Sequence, residues 1–343
     1  MENACSIGMP GGECLVAGLC LPVMGDEGTS DDRPRAAGRG LTRAALLRAA
    51  LALPLGAALP ASLVRSASIT RMNTRPIPSS REELPVIGCG TYLGFDQTPG
   101  SSAYAQLPGV VEALLAAGGK VLDSSPMYGR AEQTTGELLA ANGRRSESFL
   151  ATKVWVKGQQ EGMRQMEESM RLLRSPQIDL MQVHNLVDWR THLATLRGWK
   201  EQGRVRYLGI THYASSAHPE VEKVLRAEKL DFLQINYALD DRAAEQRLLP
   251  LAAERGVAVI VNMPFGGGGL LRGLLGKSLP GWAAEIGCVS WAQVLLKFVL
   301  GHPAVTCVIP GTGTSAHMRD NAAAGVGPLP DAAMRQRMAA AWL

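Results

Sequence analysis

From residue 84 onward, short apolar runs alternate with longer stretches whose apolar residues recur every three or four positions. Runs of the first kind predict strands over Pro85–Gly88, Lys120–Asp123, Phe149–Lys153, Leu180–His184, Tyr207–Thr211, Phe232–Asn236, Ala258–Asn262 and Thr306–Pro310. Between them Val110–Ala117, Met163–Leu173, Ala243–Glu254 and Val289–Leu300 carry helical periodicity. Strands that alternate with helices make a parallel sheet, and eight such units in about 260 residues suit a closed (β/α)8 TIM barrel. A doubly wound sheet is the competing fold, and it calls for G-x-G-x-x-G after an early strand. Gly88-Cys-Gly90 is followed by Gly94, one residue too late, and Gly266–Gly269 has no P-loop lysine after it.

The residues ahead of the alternation have a different pattern. Arg33, Arg35, Arg39, Arg43 and Arg48 occur without an acid between them, and Ala49–Val64 is an uncharged run of sixteen residues closed by Arg65. A bilayer span needs about 20 residues, so stable membrane insertion is not expected. A basic stretch, an alanine-rich core and the small residues Ser66, Ala67 and Ser68 match a signal peptide. Arg43-Ala-Ala-Leu-Leu-Arg48 resembles the twin-arginine export consensus, with Ala44 where the second arginine would stand. An inert extension from an upstream start and an organellar transit peptide are the alternatives. The expected division is therefore 1–66 as signal peptide or extension and 67–343 as one barrel. The export reading places the protein in the periplasm by way of the folded-protein export machinery; an inert extension leaves it cytoplasmic.

Composition narrows the function classes. Hydrophobic residues at 46% and charged residues at 19% describe a chain able to bury a core. A net charge of +4 without a dense basic stripe gives no case for nucleic acid as a partner. Three cysteines (Cys5, Cys14, Cys20) lie in the front segment and three (Cys89, Cys288, Cys307) in the body, with no C-x-x-C pair, so neither a zinc site nor a disulfide framework is expected.

In a parallel barrel the reacting groups sit at or just after the C-terminal ends of strands. Those ends read Asp123 followed by Ser124-Ser-Pro-Met-Tyr128-Gly129, then Lys153, then His184-Asn185, then Thr211-His212-Tyr213, then Gln234 and Asn236. Taken singly, each has a structural account: a helix N-cap, a solvated lysine, a core histidine. Together they suit carbonyl reduction. A phenol with its usual pKa near 10 is a slow acid at neutral pH, and an adjacent ammonium favours its ionised form. Lys153 supplies the ammonium, Asp123 its counter-charge, Tyr128 the proton, and His184 orients the carbonyl oxygen. No side chain delivers hydride, so a nicotinamide is required.

This constellation resembles the aldo-keto reductase superfamily over roughly residues 84–325: Asp123-x-x-x-x-Tyr128-Gly129, Thr152-Lys153, His184 and Gln234-x-x-Tyr237 stand in order. The resemblance implies an NAD(P)H-dependent reductase of aldehydes or ketones with Tyr128 as general acid. It implies NADPH as cofactor, with NADH as the alternative, because Gly311 and His317 stand where a lysine and an arginine usually grip the 2′-phosphate, while Arg319 lies nearby. Thr211, His212 and Gln234 are expected at the carboxamide, His212 replacing a more common Asn. Asn262-Met263 replaces the usual stacking tyrosine-serine ahead of Pro264, Phe265 and Gly266. Thr91, Thr312 and Thr314 complete the expected contacts, with Asp320 and Asn321 at the adenine. Tyr92, Met127, Trp155 and Tyr213 are expected to wall the pocket for a small carbonyl substrate, with Trp189 and Phe265 beside them. Two other readings remain: a cofactor-binding regulatory protein on the same barrel, and an unrelated barrel hydrolase or lyase using Asp123 and His184.

Overall fold

The computed structural model describes residues 71–342; the expected signal segment lies outside them. Two short strands, β1 (Thr74–Pro76) and β2 (Glu83–Pro85), pair antiparallel as a hairpin. Eight parallel strands follow: β3 (Cys89–Gly90), β4 (Val121–Asp123), β5 (Phe149–Val154), β6 (Ile178–His184), β7 (Val205–Thr211), β8 (Phe232–Asn236), β9 (Ala258–Asn262) and β10 (Val305–Val308). They lie in chain order, each bonded to the next. Bridges from Ile87 to Val308 and from Gly90 to Gly311 join the first strand to the last and close the barrel.

Helices fill the connections: α1 (Ser102–Ala116), α2 (Ala131–Ala141), α3 (Gln159–Leu172), α4 (Trp189–Glu201), α5 (His218–Ala227), α6 (Leu248–Glu254), α7 (Gly269–Leu274), α8 (Trp291–Leu300), α9 (Ser315–Ala323) and α10 (Ala332–Ala340). Boundaries follow local chemistry. Ser101 and Ser290 cap α1 and α8 by accepting the backbone N–H of Tyr104 and Gln293, each at 3.1 Å. Two expectations shift. The first barrel strand is Cys89–Gly90 instead of Pro85–Gly88, because Glu83–Pro85 is taken by the hairpin. The expected helix over Ala243–Glu254 breaks into a 3-10 turn at Ala243–Glu245 and α6.

The hairpin closes the bottom of the barrel. Ile77 and Leu84 are fully buried in an interior cluster with Val121, Phe149, Leu180, Tyr207 and Phe232. The rings of Phe149, Tyr207 and Phe232 lie 5.5–6.0 Å apart by centroid. Arg75 donates to the carbonyl of Leu300 (2.6 Å), the last residue of α8, and to that of His302 (2.9 Å) in the turn that follows.

Side chains alternate in and out along each strand. Phe149, Ala151 and Lys153 therefore share one side of β5, Leu180, Gln182 and His184 one side of β6, and Phe232, Gln234 and Asn236 one side of β8. Each inward column runs from apolar at the bottom to polar at the top, so the period that builds the core also gathers the polar groups at the C-terminal mouth.

Candidate active site

Lys153 is the residue around which the mouth is built. It is fully buried, and its Nζ donates to Asp123 Oδ2 at 2.7 Å and to the Ser124 carbonyl at 2.6 Å. Burial works against the ammonium; the Asp123 carboxylate, the Tyr128 phenol and the Asp123 hydrogen bond outweigh it, and the pKa stands above lysine's usual value. Asp123 Oδ1 accepts from Gln234 Nε2 at 2.8 Å and Gln182 Nε2 at 3.3 Å, so the counter-ion is held from three strands. On the other side of β5 the buried Glu132 of α2 accepts from Thr152 and from Ser169 of α3, and burial raises its pKa.

Tyr128 lies on the turn after β4, its backbone N–H donating to the Ser125 carbonyl at 3.0 Å. Gly129 follows at φ +54, where a Cβ would fall 2.3 Å from an Asp96 carboxylate oxygen. Only glycine fits, and Asp96 in return accepts the Arg130 N–H at 2.9 Å. Lys153 Nζ stands 5.1 Å from the Tyr128 ring centroid. Burial raises the phenol pKa and the ammonium lowers it, the net direction being upward. The expectation of a lowered phenol is thus corrected for the free protein: the ammonium offsets part of the desolvation.

His184 meets Tyr128 edge-on, with centroids 6.2 Å apart. Burial, followed by Lys153 and His212, pushes its pKa down to about 3, so the imidazole is neutral at physiological pH. Its Nδ1 lies 3.1 Å from Ser125 Oγ. Tyr92 packs on Tyr128 at 4.9 Å and Trp155 on His184 at 6.2 Å. Tyr92, Met127, Trp155 and Tyr213 are all exposed, and Tyr92 and Trp155 border the Tyr128–His184 pair.

The expected cofactor residues separate into two groups. His212 Nδ1 accepts the N–H groups of Tyr213 and Ala214 at 3.1 Å each, which puts the ring proton on Nε2, and burial lowers its pKa. Asn262 Nδ2 donates to the His212 carbonyl at 3.2 Å, while its buried Oδ1 has no partner. Glycines 266, 267 and 268 all have positive φ, and Phe265, just ahead of them, packs partly against the core. Gly311, Thr312, Thr314 and His317 lead into or lie on α9, whose N-terminus has no side-chain cap. An orphaned amide oxygen, a side-chain-free loop and an uncapped helix start fit a dinucleotide with a carboxamide at one end and phosphates at the other.

The second group is already bonded or packed within the protein. Thr91 is fully buried with its hydroxyl at 3.0 Å from the Asp123 carbonyl and 2.9 Å from Ser124 Oγ, so it supports the β4 loop. Pro264 is also buried. Thr211 donates to Gln234 Oε1 at 3.1 Å, and Gln234 in turn donates to Asp123, so the pair braces the carboxylate. Asp320, expected at the adenine, accepts from Ser290 Oγ (2.8 Å) and Gln293 Nε2 (2.7 Å) and ties α9 to the start of α8. Asn321 is buried. Sequence reasoning missed Ser125, Gln182 and Glu132; the inward period of β6 points to Gln182, and Ser125 had no signal of its own.

Comparison with known proteins agrees with this geometry. The family model described as the aldo/keto reductase family matches residues 86–341. The methylglyoxal reductase YeaE of Escherichia coli (strain K12) is 31% identical over 248 residues, covering 70% of this chain and 85% of the relative. An aldo-keto reductase from Klebsiella pneumoniae solved with NADPH superimposes with a TM-score of 0.67 at 23% identity, over 80% of this chain and 95% of that one. Another from Bacillus halodurans, in its holo form, gives 0.63 at 22% identity, over 78% and 95%. The chain belongs to the aldo/keto reductase family, and its reaction class is NAD(P)H-dependent carbonyl reduction. Among the described residues no helix is long and apolar enough to cross a membrane.

Proposed function

We propose that this protein reduces a small aldehyde or ketone with NADPH, Tyr128 acting as general acid, Lys153 and Asp123 setting its acidity, and His184 holding the carbonyl oxygen. The observation that carries the assignment is the buried ammonium shared between a carboxylate and a phenol at the mouth of an open, aromatic-walled site. When bound, the nicotinamide supplies hydride to the carbonyl carbon. The chain does the rest. The neutral His184 ring donates a hydrogen bond to the carbonyl oxygen, the Tyr128 hydroxyl transfers its proton to that oxygen as negative charge develops, and the phenolate left behind faces the Lys153 ammonium. Asp123, held by two amides, keeps that ammonium in place.

The substrate class follows from the walls and from the relative. Tyr92, Met127 and Trp155 offer apolar faces without a charged group among them, which suits a short reactive dicarbonyl such as the methylglyoxal in the relative's name. His212 and Asn262 would hold the carboxamide, the glycine run and the α9 start the phosphates, with Arg319 and His317 at the 2′-phosphate. Purified 67–343 should oxidise NADPH in the presence of methylglyoxal or nitrobenzaldehyde. Tight cofactor binding with no turnover across a broad carbonyl panel would favour a regulatory role. Fluorescence quenching by NADPH and NADH reads preference directly, and equal affinities would remove the 2′-phosphate assignment.

Export of the folded, cofactor-loaded protein is a separate proposal resting on Arg43–Arg48 and the uncharged run to Val64. It expects mature protein in the periplasm starting near residue 67, and intact Met1–Val64 on cytoplasmic protein would overturn it.

A further inference from the structure

We infer that Ser125 is the positioning residue that fixes the tautomer and tilt of His184, so that Nε2 carries the ring proton and presents it to the carbonyl oxygen. The inference rests on the reaction proposed above and on four features of the turn after β4.

Ser125 is fully buried, and among the described residues its hydroxyl has a single hydrogen-bond partner, His184 Nδ1 at 3.1 Å. A hydroxyl is donor and acceptor, and a neutral imidazole has one N–H, so two arrangements exist. With the proton on Nδ1, the serine accepts and its own hydrogen is left buried without an acceptor, which costs about 1–3 kcal/mol. With the proton on Nε2, the serine donates to Nδ1 and both buried groups are satisfied. The second arrangement wins on that difference alone.

The other ring edge then faces the site with a donor. Burial, and after it the Lys153 ammonium, opposes a second proton on the ring, so the alternative of a doubly protonated imidazole is disfavoured. The Ser125 carbonyl meanwhile accepts the Tyr128 N–H at 3.0 Å. One residue thereby holds the proton donor through its backbone and the oxygen-orienting ring through its side chain, and the edge-on Tyr128–His184 geometry is built into a single turn. The neighbouring Ser124 has a different task, its carbonyl accepting from Lys153 and its hydroxyl meeting Thr91.

The test reads the ring before it reads the reaction. In nitrogen-15 NMR of the full chain without substrate, His184 should show a protonated Nε2 and an Nδ1 shifted by an accepted hydrogen bond. In Ser125→Ala, Nδ1 should move to the position of a free imidazole nitrogen, and kcat/KM for the carbonyl should fall about three- to tenfold with the NADPH dissociation constant unchanged. Ser125→Thr should restore both. In a His184→Ala background Ser125→Ala should cost nothing further. A protonated Nδ1 in the parent protein, an Nδ1 resonance indifferent to Ser125→Ala, or an equal loss in the His184→Ala background would each overturn the assignment. Because the tautomer is read on the protein alone, it decides the role of Ser125 even where no carbonyl is turned over, an outcome that counts against the proposed reaction instead.

Discussion

The two ends of this barrel each hold a buried aspartate that gathers cations, and they use it differently. At the bottom Asp179 accepts from Arg145 (3.2 Å), Arg206 (2.8 Å) and the Leu150 N–H (2.8 Å), while Glu82 of the hairpin accepts from Tyr207 at 2.7 Å and from Arg206. Both guanidinium groups keep about a third of their surface in water. At the mouth Asp123 accepts from Lys153, whose side chain is 0% exposed. The bottom network is fully partnered; the mouth keeps orphaned oxygens on Gln182, Asn185 and Asn262. Among the described residues seven non-glycine residues have positive φ, and five of them (Leu93, Asn185, Leu186, Asp188 and Met263) lie in loops that follow barrel strands. A closed end minimises unmet bonds and strain. A reacting end retains both, because its groups await ligands and its loops are bent to present them.

Removing the acid should have the largest effect. Tyr128→Phe is expected to lower kcat about 10²- to 10⁴-fold while leaving cofactor affinity and the melting temperature near the parent values, measured by NADPH oxidation and calorimetry. A loss of cofactor binding on the same scale would mean that Tyr128 builds the site instead of acting in it.

Breaking the two aspartate networks tests the comparison itself. Lys153→Met leaves Asp123 charged and buried without its cation, for an expected loss of about 3–5 kcal/mol in denaturant unfolding. Arg206→Met removes a partly solvated partner, for about 1 kcal/mol or less, with activity intact. Equal losses would erase the distinction between the two ends.

Much of this was legible from spacing. The barrel follows from eight repeats of one period, and Asp123, Tyr128, Lys153 and His184 are legible because strand ends put them on one rim. The hairpin was not, since Thr74–Pro76 and Glu83–Pro85 are too short to show a period and gain their place only by covering the barrel's bottom. The partners of Asp320 within the protein were not legible, because a carboxylate's partners are set by packing: Ser290 and Gln293 lie about 30 residues away in sequence. Ser125 was invisible for a related reason, as one hydroxyl among two adjacent serines matters only through the ring it faces.

Acidity separates the ends more finely. His184 titrates at about 3 in the fold and near 6.5 when unfolded. Between those values the unfolded chain binds the extra proton, so this contribution to stability is complete above pH 6.5 and is lost as pH falls toward 3. Unfolding curves of His184→Gln should therefore be flatter across that interval than those of the parent. For the same reason kcat/KM should show no limb near pH 6.5 belonging to His184; a limb there that disappears in His184→Gln would mean that the ring is protonated in the working enzyme.

The smallest effect concerns the strained loops. Met263, 42% exposed, sits at φ 50, a conformation that costs a non-glycine residue about 1–2 kcal/mol. Met263→Gly removes that strain and adds chain entropy to the unfolded state, so the net gain should be about 0.5–1 kcal/mol in urea unfolding. The methyl end of Met263 lies against the glycine run, 3.5 Å from where a Gly267 Cβ would stand, so it lies over the loop assigned to the dinucleotide. Stability should therefore rise while NADPH binds more weakly, measured by fluorescence quenching. A variant that gained stability and kept its affinity would show the bend at Met263 to be incidental, and the strain at the mouth would then need another reason.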